Sequence, residues 1–165
     1  MSIDHYSGPA STAFEGLTSA IERVGGSSIR SDQIAIGESL FWAITLDEML
    51  SKRHGAQYDN ARDAHPLGAT ISGARLARNA IAHGMVIVQS IQGGLTFPMT
   101  FPLTFGEPAW LEIDRLVDLA SPKPTRWLAI QKASYAAHFD GRRPIEPLFD
   151  IRGWIIAASE SGFLL

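Results

Sequence analysis

The feature that most constrains this chain is a short stretch in which polar side chains interrupt an alanine-rich segment. Residues 75–83 read RLARNAIAH, which places two arginines, an asparagine and a histidine among small and aliphatic residues. The alanine content and the lack of proline favour a helix. Polar groups on a helix that lies in apolar sequence need partners, because burying them unpaired costs free energy. We therefore expect this helix to carry the functional surface.

On a helical wheel of about 100° per residue, the polar side chains of this helix fall into one arc of roughly 140°. The arc contains, in angular order, Arg78, Ala82, Arg75, Asn79, Ser72 and His83. The remaining positions are apolar or small: Ala74, Leu76, Ala77, Ala80 and Ile81. Arg75, Asn79 and His83 follow one another at helical spacing and form a ridge, with Arg78 at the far edge. The pattern predicts a polar wall backed by a packed face.

A second signal is the carboxylate of Asp47, which lies in an apolar helix predicted over 31–53. On the wheel, Asp47 falls between Leu40 and Ala43, in the middle of an apolar arc. A buried carboxylate needs a cation or several hydrogen-bond donors. The arginines of the polar arc, Arg75 and Arg78, are the candidates. If Asp47 is buried and paired with one of them, Asp47→Ala should cost a few kcal/mol of stability.

The rest of the chain predicts an all-α fold, a helical bundle of four to six helices. Apolar periodicity, proline and glycine predict helices over 9–24, 31–53, 67–83, 110–120, 125–139 and 144–159. The third helix either ends near Gly84 or continues toward Val88. Residues 1–8 are expected to be flexible, and 54–65 to form a polar loop in which Tyr58 could stack a base. Residues 93–109 contain the Thr/Phe/Pro repeat, whose prolines predict an extended arm or a short hairpin covering a groove or a neighbouring subunit.

Length and composition limit the function further. The chain has 165 residues, 45% of them hydrophobic, which fits a single domain over 1–165. A net charge of −3 argues against a general nucleic-acid coat protein but allows local positive charge. The absence of cysteine excludes thiolate chemistry, and the five histidines show no metal-ligand spacing, so we expect no metal or cofactor. Without a signal peptide or a membrane-spanning run, a soluble cytoplasmic protein is the default expectation.

The side chains of the polar arc suit phosphodiester chemistry. Arginine offers a planar fork of donors to a phosphate. Histidine can exchange a proton with a ribose 2′-hydroxyl or a leaving oxygen near neutral pH. The alternative interpretation is structural: Arg75 and Arg78 pair with Asp47 or Glu48 across the core, and His83 with Gly84 merely closes the helix.

The run R-N-A-I-A-H at 78–83 resembles the signature of the HEPN superfamily (higher eukaryotes and prokaryotes nucleotide-binding domains). That signature is an arginine, usually followed by a polar residue, with a histidine four to six residues later. Arg78, Asn79 and His83 match these three positions. The preceding helix with Asp47 and Glu48 and the all-α order also fit, so the resemblance covers residues 31–90. The Thr/Phe/Pro arm lies outside it.

The resemblance implies a homodimer in which two copies of the motif face one cleft. Active members are metal-independent RNA endonucleases that leave a 2′,3′-cyclic phosphate. They act as toxins, often beside a nucleotidyltransferase-like antitoxin, or in phage defence; inactive members bind a nucleotide or dimerise. On that analogy His83 is the general acid and base, Arg78 holds the phosphate and Asn79 positions it. Arg75 and Ser72 are then substrate-binding candidates, with Asp47 and Glu48 as supporting residues.

Overall fold

In a computed structural model, the chain forms an all-α bundle with one pair of short strands. The structure describes residues 8–25, 29–82, 88–90, 108–120 and 126–164. The helices are α1 (Pro9–Glu22), α2 (Ile29–His54), α3 (Ala56–Ala64), α4 (Thr70–Ala82), α5 (Ile113–Ala120), α6 (Arg126–His138) and α7 (Ile145–Glu160). The strands β1 (Val88–Ser90) and β2 (Pro108–Trp110) pair antiparallel. The predicted all-α class is confirmed.

The first two helices pack against each other, and a short turn at 23–25 follows α1. Pro9 occupies the first turn of α1, where its missing N–H leaves no helical hydrogen bond unmade. Gly25 has a φ of 92°, in the left-handed region that glycine tolerates best. Its N–H donates to the Asp32 carboxylate over 3.0 Å, so Asp32 ties the turn to the first turn of α2. The helix predicted over 31–53 thus begins two residues earlier than expected, at Ile29.

Helix α4, which carries the polar arc, packs against α2, α6 and α7. Its contact with α6 is close because Gly73 faces that helix. A Cβ at Gly73 would lie 2.9 Å from the backbone N and Cα of Tyr135. Ser134 bridges the two helices, accepting from the Gly73 N–H over 2.8 Å and donating to the Ala69 carbonyl over 2.7 Å. This packing holds the apolar back of α4 and leaves its polar arc on the other side.

The segment 54–65 was expected to be a loop, and that prediction was wrong. Residues 56–64 form α3, which follows Gly55 with its φ of 55°. Tyr58 is fully buried, so the predicted base-stacking role of Tyr58 is also wrong. The following residues 66–69 form a turn, and α4 begins at Thr70 rather than at Leu67. The added α3 brings the number of helices in the described ranges to seven.

Trp110 was expected to begin a helix and instead ends β2. It lies opposite Val88 in the strand pair, and its backbone N–H donates to the Arg142 carbonyl over 2.9 Å. The indole Nε1 donates to the Pro144 carbonyl over 3.1 Å. The ring packs edge-on against Phe139, with centroids 4.9 Å apart. Burial of the indole therefore requires an extended backbone here, and α5 starts only at Ile113.

Several expectations concern parts of the chain outside the described residues. They include the flexible end at 1–7, His83 and Gly84 after α4, and most of the Thr/Phe/Pro arm, 93–107. Residues 108–109 of the predicted arm belong to β2. Within the ranges that the structure describes, no helix is long and apolar enough to cross a membrane.

Candidate functional site

Helix α4 divides into a buried face and an exposed arc, as its sequence predicts. The buried positions include Ile71, Gly73, Ala74, Leu76, Ala77 and Ala80. Asn79 and Ala82 are exposed, and Ser72, Arg75 and Arg78 are partly exposed. These five residues are the polar arc without its last member, His83. The helix ends at Ala82, directly before that histidine in the sequence.

Asp47 is the buried centre of the site, with no exposed surface. Its carboxylate accepts a hydrogen bond from the Tyr58 hydroxyl over 2.9 Å and one from Arg62 Nη1 over 3.1 Å. Arg75 Nη2 donates to its second oxygen. Three donors thus replace the water that the carboxylate loses on burial. The predicted burial of Asp47 and its pairing with Arg75 are confirmed.

Two of these donors come from α3 and were missed in the sequence. Tyr58 and Arg62 are one helical turn apart, so both can face α2. The Tyr58 hydroxyl also accepts a hydrogen bond from Trp154 Nε1 over 3.1 Å, which links α7 to the site. The spacing of Tyr58 and Arg62 was the available signal, but the polar composition around it favoured a loop.

The buried charge network shifts the pKa values of Tyr58 and Arg62. Burial raises the pKa of Tyr58 well above its ordinary value, and the negative charge of Asp47 raises it further. Burial by itself would lower the pKa of Arg62, but Asp47 and Asp63 outweigh that effect and raise it. Tyr58 therefore remains a neutral donor and Arg62 a cation throughout the physiological pH range.

Glu48, the residue after Asp47, bridges the two arginines of the polar arc. Its carboxylate lies 3.1 Å from Arg75 Nη1 and 3.9 Å from Arg78 Nη2. Arg75 is thereby engaged at both terminal nitrogens, by Glu48 and by Asp47. The Arg78 side chain is 40% exposed and has the longer contact. The pairing that the structural interpretation predicted is present, and it occupies Arg75 more completely than Arg78.

In this arrangement, an anion can bind by taking the place of a carboxylate that is already paired with an arginine. The ion pairs of the network join three guanidinium groups to four carboxylates, those of Asp47, Glu48, Asp59 and Asp63. A phosphate that reaches Arg78 competes with Glu48, whose side chain is 56% exposed. Asp47 is buried and cannot leave, so it keeps Arg75 in place during that competition.

Further charged and aromatic side chains lie away from this network. Arg142 makes ion pairs with Glu146 at 3.0 Å and Asp150 at 2.9 Å, which closes the turn before α7. Trp110 and Trp154 are core residues, whereas Trp127 is 71% exposed. No group of three His, Cys, Asp or Glu side chains that could hold a metal occurs among the described residues.

Comparisons of this chain with protein families, curated proteins and solved structures found no match. The interpretation of the site therefore depends on its own geometry and on the sequence motif.

Proposed function

We propose that the protein is a metal-independent endoribonuclease of the HEPN type. The observation that carries the proposal is the state of Arg78. It is a half-exposed guanidinium on α4, and the ion pair that it makes among the described residues is a 3.9 Å contact to an exposed carboxylate. Arg78 lies just over one helical turn before His83 in the sequence, the spacing of the motif that the chain resembles. Because this contact is long and its carboxylate partner is exposed, the Arg78 guanidinium can bind a phosphate in its place.

In the proposed reaction, His83 takes the proton from a ribose 2′-hydroxyl as that oxygen attacks the adjacent phosphorus. The bond to the 5′-oxygen breaks, and a protonated histidine returns a proton to it. The products are a 2′,3′-cyclic phosphate and a 5′-hydroxyl. Arg78 binds the phosphate and offsets the charge that develops on its oxygens. Arg75, Asn79 and Ser72 extend the binding surface of α4, with Arg75 anchored by Asp47.

The same proposal includes a homodimer, in which a second copy supplies the opposite wall of the cleft. It also includes a toxin or phage-defence role, with a nucleotidyltransferase-like antitoxin as the possible partner. A gene for such a partner beside this one would support that role.

Cleavage of RNA in EDTA tests the catalytic proposal. We expect the wild type to cleave and Arg78→Ala and His83→Ala to lose about 10²-fold or more of the rate, the contribution of a general acid–base group. Arg126→Ala removes an exposed arginine from α6 and should cleave like the wild type. The product should carry a 2′,3′-cyclic phosphate, detectable by mass spectrometry. A wild type inactive in EDTA, or equal rates in all variants, would reject the proposal.

A second candidate function is a non-catalytic helical dimer that binds a nucleotide or a partner protein. The observation that favours it is α6, on which Trp127 and Ile130 are exposed and only Tyr135 is buried. Exposed apolar side chains on one helix are typical of an interface. This candidate predicts no cleavage, together with an oligomer that Trp127→Ser dissociates in analytical ultracentrifugation.

A further inference from the structure

Like Ile34 seven positions before it, Phe41 is a large apolar side chain on α2 that the core leaves exposed. It is 54% exposed, whereas its neighbours Leu40, Ala43 and Ile44 are buried. Its ring meets Trp42 edge to face, with centroids 5.1 Å apart, and more than half of the residue remains open to water. An exposed aromatic ring does not contribute to folding the free energy that its burial would give. The position of Phe41 relative to the charge network therefore indicates which ligand the ring contacts.

Phe41 lies in line with the charge network. Phe41 lies seven positions before Glu48, which is about two helical turns. Both therefore lie on one strip of α2, about 10.5 Å apart along the axis. Glu48 contacts Arg75 and Arg78. At the other end, a Cβ at Gly37 would lie 3.9 Å from Ile81.

These contacts set the direction of the two helices. Glu48 lies beside the middle of α4, and Gly37 lies beside its last turn, so α2 and α4 run antiparallel. Phe41 falls between these two points. It therefore lies beside the C-terminal part of α4, the part that carries Arg78 and Asn79 and leads toward His83.

We infer that Phe41 stacks an unpaired base of a single-stranded RNA whose phosphate contacts Arg78. The inference rests on the proposed function, since it takes RNA as the ligand and Arg78 as the phosphate contact. The exposed ring and the guanidinium match the two parts of a nucleotide, the apolar base and the anionic phosphate. The axial distance of about 10 Å between Phe41 and Glu48, the carboxylate that contacts Arg78, corresponds to roughly three nucleotides of a stacked strand at about 3.4 Å each, and fewer in an extended one.

The same geometry selects single strands. Bases in a duplex are stacked on one another and cannot lie flat on a side chain, whereas unpaired bases can be splayed onto an aromatic ring. Phe41 thus favours the binding of RNA loops and unpaired RNA stretches over RNA duplexes. It also places the scissile phosphate at a set distance from the stacked base.

Binding measured without cleavage tests this inference. The probe is a short fluorescent 2′-O-methyl oligoadenylate, which lacks the attacking hydroxyl, and the readout is fluorescence anisotropy. We expect Phe41→Ala to bind it roughly five- to hundred-fold more weakly, the range for loss of one base–aromatic stack. Phe41→Tyr keeps the ring and should bind like the wild type. Phe149→Ala is the matched control, since Phe149 is also exposed but lies on α7 against Arg152.

Three outcomes would overturn the inference: equal affinity in Phe41→Ala and Phe149→Ala, an equal loss with a duplex of the same sequence, or an altered oligomeric state with unchanged affinity. The last would assign Phe41 to an interface between copies. The catalytic proposal is judged separately. If the wild type cleaves RNA in EDTA but Phe41→Ala binds the probe as tightly as the wild type does, only the stacking inference is rejected. Phe41-dependent binding without cleavage supports the stacking and rejects only the catalysis.

Discussion

Removing the Asp47 carboxylate should destabilise the fold more than any other single change in the charge network. In Asp47→Ala, Arg62 and Arg75 lose their shared buried partner, and the Tyr58 hydroxyl loses its acceptor. Breaking a buried ion pair typically costs about 3–5 kcal/mol. The lower half of that range applies here, because the Arg62 and Arg75 side chains keep 13% and 28% of their exposure.

The remaining partners also limit the cost. Arg62 keeps Asp59 and Asp63, and Arg75 keeps Glu48. The Tyr58 hydroxyl, left without its acceptor, costs about 1 kcal/mol, which offsets what these remaining partners save. We therefore expect a loss of about 3–4 kcal/mol in the free energy of unfolding. For a chain of this size, that corresponds to a melting temperature lower by roughly 6–16 °C.

Urea unfolding followed by circular dichroism measures the effect, with midpoints compared at an unchanged m-value. Asp63→Ala is the matched control, because Asp63 pairs with the same Arg62 at 2.9 Å but is 65% exposed. An exposed pair contributes about 0–1 kcal/mol, so the control should unfold nearly like the wild type. If Asp47→Ala loses less than about 1 kcal/mol, or no more than Asp63→Ala, the assignment of Asp47 as the buried centre is refuted.

Three further predictions follow from the packing and the charges. Gly73→Ala should destabilise the fold by about 1–3 kcal/mol because its Cβ meets the Tyr135 backbone. Gly37→Ala, whose Cβ has room, should stabilise the fold by about 0.5–1 kcal/mol. Urea midpoints that shift in the same direction in both variants would contradict this. Burial raises the pKa of Tyr58 and Tyr135 above the ordinary 10.0, so the contribution of these two groups to stability should be complete below about pH 10 and fall as the pH rises above it. In a Tyr6→Phe variant, which keeps only these two tyrosines, phenolate absorbance should appear with unfolding and not before. Glu48→Gln removes the carboxylate that competes with an anion for Arg78, so phosphate affinity measured by NMR titration should rise up to about five-fold. Weaker binding of phosphate would contradict the competition between Glu48 and phosphate.

The helices that the sequence located correctly are those whose signals are local. Pro9 and the apolar repeat after it defined α1, and the alanine-rich period of 75–83 defined α4 and its polar arc. Asp47 was recognised as a buried carboxylate because its neighbours on one helix wheel are apolar, which requires no knowledge of another element. Such features depend on residues within a few turns of each other, and the helical period relates them directly.

The features that were missed depend on contacts between distant segments. Trp110 is extended because its partners, Val88 and Pro144, lie far away in the chain. Tyr58 and Arg62 form part of a helix because that helix can place them against Asp47, whereas their own surroundings are polar enough for a loop. Tertiary burial overrode local composition at both places.

By itself, the sequence determined that this chain is helical, that α4 has a polar arc, and that Asp47 needs a cation. Only the tertiary structure decided which cations meet it, how Glu48 divides its contacts between Arg75 and Arg78, and that Phe41 lies exposed in line with them. Helical period is a property of one segment, whereas the pairing of charges depends on which helices pack together and in what register. That register is determined by the whole core, including the close approach at Gly73.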